Sequence, residues 1–273
     1  MNSPTTNSTG AALGPPDLSV IIPAYNEEAR LPRGLARIVE YFSNLRAPFS
    51  IDRVEILVVD DGSTDATPRI AEEFARSNSS VRLVSNGENR GKGYSVRHGM
   101  LEARGRLALF TDADLSSPIE EIEKLLIAME IGNEVAIGSR ALDRSLISSR
   151  QSWMREQAGI IFNGFVRLFT GLPFHDTQCG FKIFVREPSR VVFEQQRIEG
   201  FGFDPEILFL AQRHRLRIAE IPVRWAHDPG TKVHVLRDSL KMFGDLVYIR
   251  WNWLTGRYPK AAAADSSATA SGC

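Results

Sequence analysis

Two carboxylates two residues apart, Asp112 and Asp114, lie in the stretch Thr111-Asp112-Ala113-Asp114-Leu115-Ser116-Ser117-Pro118. On a tight turn, side chains at that spacing can face one hard cation and leave its other side to phosphate oxygens and water. Solvated loop acids often show the same spacing, so the setting decides. The apolar run Leu107-Ala108-Leu109-Phe110 just before the pair has the length and composition of a buried strand. After the pair, Ser117 is placed as an N-cap, Pro118 as the first helical residue and Glu120 as the reciprocal partner of a capping box. The pair is therefore expected on the connection leaving the carboxyl end of a strand. Open α/β sheets bind their ligands at that edge.

Two further strand ends carry acids. One reads Asp60-Asp61-Gly62-Ser63-Thr64-Asp65, where glycine permits a sharp turn and the carboxylates can accept from a base N–H or a ribose hydroxyl. Asp61 and Asp65 can equally cap the next helix, and Asp65 is expected to. The other reads Pro23-Ala24-Tyr25-Asn26-Glu27-Glu28. Three such ends on one rim make a nucleoside-diphosphate site a stronger reading than any one of them alone.

The elements that must position these residues follow from periodicity. Apolar strand runs at 18–22, 54–59, 81–84, 107–110 and 134–138 alternate with helical patterns at 27–45, 65–76, 91–103 and after Pro118. This alternation predicts an α/β fold with an open, mostly parallel sheet flanked by helices. Beyond residue 138 the pattern predicts a helix over 152–170, a strand over 181–185, a helix over 205–213, an alternating strand over 217–225 and a closing helix over 236–254. No linker composition divides the chain, so 17–259 reads as one domain between disordered tails at 1–16 and 260–273.

The chain is 273 residues long with zero formal net charge, 43% hydrophobic and 24% charged, an ordinary globular composition with room for a full core. The charge is uneven: acids exceed bases by six up to residue 139, and bases exceed acids by six from residue 140 on. Chance and a second half that faces an anion both account for this split. Two cysteines imply no disulfide framework. The first 16 residues lack a signal-peptide pattern, and no uncharged apolar run reaches the roughly 18 residues of a spanning helix. A cytoplasmic location is the expectation. Gly87 to Gly93 is one residue short of a P-loop, and no Gly-x-Gly-x-x-Gly follows the first strand. Histidines 98, 175, 214, 227 and 234 lack zinc-ligand spacing and read as surface or packing residues. No nucleic-acid signature is present. Ile160, Ile161, Phe162, Phe165, Val166 and Phe169 share a helical face, and Trp251, Trp253 and Tyr258 interleave with Arg250 and Arg257. Packing on the sheet accounts for part of each stretch, and a membrane interface for the mixture of aromatic and basic groups.

Taken in order, Val20-Ile21-Ile22-Pro23-Ala24-Tyr25-Asn26-Glu27, the Asp60–Asp65 run, Asn89-Arg90-Gly91-Lys92-Gly93, Asp112-Ala113-Asp114, Gly138-Ser139-Arg140 and Asp176-Thr177-Gln178-Cys179-Gly180-Phe181-Lys182 resemble the family 2 glycosyltransferases of GT-A fold. Within them the set is similar to the dolichyl-phosphate β-glucosyltransferases and, more loosely, the dolichyl-phosphate mannose synthases. The resemblance covers roughly residues 18–258, and its specificity lies in the ordered set.

That resemblance implies an inverting transfer of a hexose, glucose from UDP-glucose, to a polyprenyl or dolichyl phosphate. It implies donor nucleotide contacts from Pro23, Tyr25, Glu27, Asp60, Asp61, Lys92 and Asp112. Asp112 and Asp114 are expected to hold Mg²⁺ or Mn²⁺ and, with Arg140, to carry catalysis. Arg140, Arg155 and Lys232 are expected to meet the acceptor phosphate. Asp204 and Glu206, placed where hydroxyl-directed relatives carry a base, are read as orienting the site. Leu115-Ser116-Ser117-Pro118 stands where mannose synthases commonly have Leu-Gln-His-Pro, which weakens the mannose reading. The expected partners are a nucleotide-sugar donor, the lipid phosphate and the cytoplasmic face of a membrane, touched peripherally. A GDP-mannose donor, a hydroxyl acceptor and a non-catalytic sugar-nucleotide binding module are the rival readings, and the Asp112/Asp114 pair argues against the last.

Overall fold

The structure, a computed structural model, describes residues 14–45, 49–149, 153–226 and 235–259, with backbone alone for 149, 153–156 and 235–240. Among the described residues, seven strands form the main sheet: β1 (Leu18–Ala24), β2 (Val54–Asp60), β3 (Val81–Ser85), β4 (Leu107–Thr111), β5 (Val135–Ser139), β7 (Phe181–Val185) and β8 (Ile218–Pro222). Their order is β3-β2-β1-β4-β7-β5-β8. All neighbours run parallel except β7, which is antiparallel to both β4 and β5. The short strands β6 (Ile147–Ser149) and β9 (Trp225–Ala226) pair in a separate ribbon.

Apolar side chains alternate between the two faces of each strand, and both faces are covered, which is why the strands read as near-continuous hydrophobic runs. Ile21, Leu57, Val59, Phe110 and Phe184 pack on one side with α3 (Lys92–Glu102), α5 (Trp153–Thr170), α6 (Arg186–Gln195), α7 (Phe203–Arg213) and α8 (Val235–Leu254). Val20, Ile22, Val58, Leu109 and Ile183 pack on the other with α1 (Leu31–Asn44), α2 (Thr67–Ser77) and α4 (Ile122–Glu130).

Several expectations are corrected. The predicted capping box after the Asp pair does not form. Pro118 precedes a 3₁₀ turn at Ile119–Glu121, and Ser117 Oγ faces Cys179 Sγ at 3.8 Å. Glu120 pairs with Arg37 of α1, and buried Glu121 takes the Arg224 guanidinium and the Lys124 ammonium. Tertiary ion pairs replaced the local cap. The first helix starts at Leu31 rather than 27, because Asn26 turns with φ 54° and Arg30 N and Leu31 N both donate to Glu27 O. The strand over 217–225 breaks into β8 and β9, with Arg224 N between them bound to Glu121. Helix α6 was missed. It follows β7 without a gap and buries only Ser189, Val192 and Phe193. The tails expected at 1–16 and 260–273 lie outside the described residues, apart from 14–16.

The end of α8 is fastened to the core by Tyr258, whose hydroxyl donates to buried Glu206 at 2.5 Å. Arg197 N and Ile198 N donate to the same carboxylate at 2.9 and 2.8 Å. Burial pushes the Glu206 carboxyl up to about 7 despite these donors. Between its ordinary 4.5 and about 7 the folded state binds more protons than the unfolded, so this group's contribution weakens as pH rises through that window. Tyr258→Phe removes a donor to the charged form. It is expected to lower the melting temperature by about 3–10 °C at pH 8 and by less at pH 6, read by calorimetry.

Candidate active site

The carboxyl ends of β1, β2 and β4 lie side by side, so the three acidic loops share one rim. The first two are laced together. Asn26 Oδ1 accepts Thr64 N at 2.8 Å, Asn26 N donates to Ser63 Oγ at 2.9 Å, and Glu27 N donates to Thr67 Oγ1 at 2.7 Å. Asp65 does not cap α2 as expected, since the N-cap position falls to Ala66; from one residue earlier it accepts Thr67 N at 2.9 Å and also Glu28 N at 3.1 Å. Asp60 and Asp61 are both buried but differently employed. Asp60 accepts Ser63 N at 3.2 Å. Asp61 accepts Asn86 Nδ2, Arg90 N and Gly91 N at 2.8, 3.0 and 2.8 Å. Three of its lone-pair positions are filled by the loop that leads into α3, so Asp61 holds that loop and Asp60 is the freer acceptor. Gly62, with φ 69°, lets Glu88 pass where a Cβ would stand 2.6 Å from its carbonyl carbon. Pro23 lies one residue before the end of β1, in register with Val59, Tyr25 is 39% exposed at the rim, and Glu27 is paired bidentately with Arg30 at 2.6 Å.

The Asp pair follows β4 as expected. Asp112 receives the Lys92 ammonium at 2.5 Å, and Asp114 accepts Ser116 N at 2.9 Å with Arg30 at 4.0 Å. Burial and then the Asp112 charge push the Asp114 carboxyl above its ordinary range. Lys92 is held above its ordinary value although burial works against it, because Asp112, Asp204 and Asp114 outweigh that cost. Asp112 owes its position to Gly180, where a Cβ would stand 2.2 Å from Asp112 Oδ2. No group of three or more His, Cys, Asp or Glu poised for a metal occurs among the described residues. The donor set therefore amounts to two hard oxygen ligands whose mutual repulsion Lys92 and Arg30 offset in part. That fits Mg²⁺ or Mn²⁺ completed by diphosphate and water.

Arg140, just past β5, pairs with Asp176 through Nε at 2.7 Å and Nη2 at 2.8 Å. Asp112 adds to the charge that holds the guanidinium protonated. Arg155 lies in α5 with its backbone alone described; Lys232, His227 and His234 lie outside the described residues. His98, His175 and His214 contact Asn86, Glu220 and Gln195, as packing or surface residues do. Beneath the rim, fully buried Lys182 donates to Asp204 and to Cys179 O. Asp204 is thus tied to an ammonium, and Glu206 to three donors. Lys182, Asp176 and Gly180 received no role from the sequence, although all three sit in one of its motifs.

An open sheet with acidic loops on its parallel carboxyl edge and an inserted antiparallel strand is the GT-A arrangement. The chain belongs to the family described as Glycosyl transferase family 2, whose profile matches residues 19–193. It is 39% identical over 254 residues to a dolichyl-phosphate beta-glucosyltransferase of Drosophila melanogaster, covering 89% of this chain and 77% of that protein. Over 250 residues it is 36% identical to the Homo sapiens protein of the same name, covering 88% and 77%. Its fold is similar to that of glucosyl-3-phosphoglycerate synthase from Mycobacterium tuberculosis, solved with Mn²⁺, UDP-glucose and phosphoglyceric acid. That likeness has a TM-score of 0.62 at 19% identity and covers 86% of this chain and 80% of that one.

Gly180→Ala is expected to displace the Asp112 carboxylate and cut turnover about a hundredfold, a loss of about 3 kcal/mol at the barrier, while leaving the circular dichroism spectrum unchanged. Steady-state kinetics beside the spectrum checks this.

Proposed function

We propose that the protein transfers glucose from UDP-glucose to a polyprenyl phosphate of the dolichyl type, inverting the sugar carbon, at the cytoplasmic face of a membrane it touches peripherally. The observation that carries this reading is the similarity, over nearly nine-tenths of the chain, to dolichyl-phosphate beta-glucosyltransferases. The rim geometry is consistent with it.

In this reading an acceptor phosphate oxygen attacks the anomeric carbon as the bond to the diphosphate breaks, and UDP leaves with the electron pair. A phosphomonoester has a second pKa of about 6 and is largely dianionic at neutral pH, so no general base is required. Asp204 and Glu206, both committed to internal partners, agree with this. Asp60 accepts from the base or ribose, and the exposed Tyr25 ring and the Pro23 and Glu27 backbone border the nucleoside. Lys92 offers its ammonium to the leaving diphosphate beside Asp112. Asp112 and Asp114 would hold Mg²⁺ or Mn²⁺, which when bound stabilises the charge developing on the leaving group. Arg140, with Arg155 and Lys232, meets the acceptor phosphate.

Membrane contact is supported by α5 and α8, which pack together through Phe165, Phe169 and Phe243. They leave Ile161, Leu168, Val247, Trp251 and Leu254 exposed beside Arg167 and Arg250. No described helix is long and apolar enough to cross a membrane.

Label from UDP-glucose is expected in an organic-soluble, mild-acid-labile product when polyprenyl phosphate is supplied. Equal transfer to free polyprenol would overturn the phosphate acceptor. Asp112→Asn and Asp114→Asn should each lower turnover about a hundredfold or more without unfolding the protein. Full activity of either variant in EDTA would refute metal dependence. UDP with Mg²⁺ should raise the melting temperature more than GDP with Mg²⁺, and the reverse would move the donor to GDP-mannose. Flotation with anionic liposomes should weaken as salt rises.

A further inference from the structure

Arg140 reaches the site already engaged. Asp176 accepts its Nε and Nη2 in parallel and its backbone N–H at 3.0 Å, and Gln178 N donates to the same carboxylate at 3.1 Å. A guanidinium has five N–H groups. The Nε–Nη2 edge spends two of them on Asp176 and leaves three on the Nη1–Nη2 end. The Asp176 side chain is 8% exposed and that of Arg140 28%, so the pair is covered on its carboxylate side and open on its guanidinium side. The Trp225 ring lies 5.5 Å from the guanidinium carbon.

Asp176 is in turn fixed by a second acid. Glu220 on β8 accepts His175 N at 3.0 Å and Asp176 N at 2.8 Å, with the His175 ring at 3.2 Å. The Arg140 guanidinium and the surrounding N–H groups hold the Asp176 carboxyl down at about 2 against the cost of burial, so it is anionic at every working pH. β8 thereby sets the loop, the loop sets Asp176, and Asp176 sets the arginine.

We infer that Asp176, seated by Glu220, is the positioning residue that aims the free end of Arg140 for two-point contact with the acceptor's terminal phosphate. Because the pair is neutral overall, recognition depends on the direction of the remaining N–H bonds more than on net charge. The inference rests on the acceptor role given to Arg140 above.

The test is a double-variant cycle on acceptor kinetics with polyprenyl phosphate at saturating UDP-glucose, using Asp176→Asn, Arg140→Ala and the two combined. Asp176→Asn keeps the shape but removes the charge and one of the parallel bonds. It is expected to raise the acceptor KM about tenfold and to leave the donor KM and the melting shift with UDP and Mg²⁺ unchanged. Arg140→Ala should raise the acceptor KM at least as much, and adding Asp176→Asn to it should change the value by no more than about twofold. Glu220→Gln should act in the same direction and be silent in the Arg140→Ala background; it carries the test if Asp176→Asn does not fold. Multiplicative effects in the double variant would mark Asp176 as a merely structural residue and overturn the inference. A raised KM in Arg140→Ala with none in Asp176→Asn would overturn it while leaving the acceptor role of Arg140 intact. An unchanged acceptor KM in Arg140→Ala would overturn both.

Discussion

Negative charge gathered on one edge of the sheet is the constraint on which the rest of this structure depends. Asp60, Asp61, Asp112, Asp114, Asp176 and Asp204 sit at or just beneath the rim, where a sugar diphosphate would add more. Like charges in a partly dry site repel by several kcal/mol unless each has a partner. The chain answers with one arrangement repeated: Lys92 against Asp112, Arg30 near Asp114, Lys182 under Asp204, Arg140 on Asp176, and three N–H donors on Asp61. Asp112 and Asp114 still repel each other, and burial, then that repulsion, pushes the Asp114 carboxyl above its ordinary range. That residual imbalance is what a divalent cation would relieve.

The compensation depends on the reversed strand. β7 enters between β4 and β5 and runs against both, so the segment leading into it crosses the carboxyl rim instead of the opposite edge. This carries Asp176 to Arg140, Gly180 to within contact of Asp112 and Lys182 beneath Asp204. A parallel strand at that place would have brought its preceding loop to the far side of the sheet. The first half of the chain supplies the acids, and the inserted strand supplies much of what makes their company tolerable.

The second half also carries exposed apolar side chains on α5 and α8. α5 and α8 lean on each other through edge-to-face phenylalanines and on the core through Val166, Leu246 and Ile249, yet leave large apolar side chains outward. Past α8 the chain turns at Gly256, with φ 70°, and Tyr258 anchors its hydroxyl on Glu206 of α7, the helix whose first turn bears Asp204. The outward face and the floor of the site are thus joined through a short buried path.

The sequence by itself determined the alternation of strands and helices, the parallel half of the sheet and the placing of Asp112 and Asp114 at a strand end. Those features arise from local periodicity and turn chemistry, which neighbouring residues fully specify. The direction of β7 was not legible, because a strand buried on both faces shows the same apolar run whichever way it points. Helix α6 escaped for want of a broad apolar stripe, and the Ser117–Glu120 capping box, sound as a local rule, lost to ion pairs from Arg37 and Arg224, 80 and more residues away in the chain. The division of labour between Asp60 and Asp61 and the pairings Lys92–Asp112, Lys182–Asp204 and Arg140–Asp176 were decided only by tertiary structure. The charge of a side chain is written in its residue type, but the partner that balances it is chosen by which distant segment the fold lays beside it.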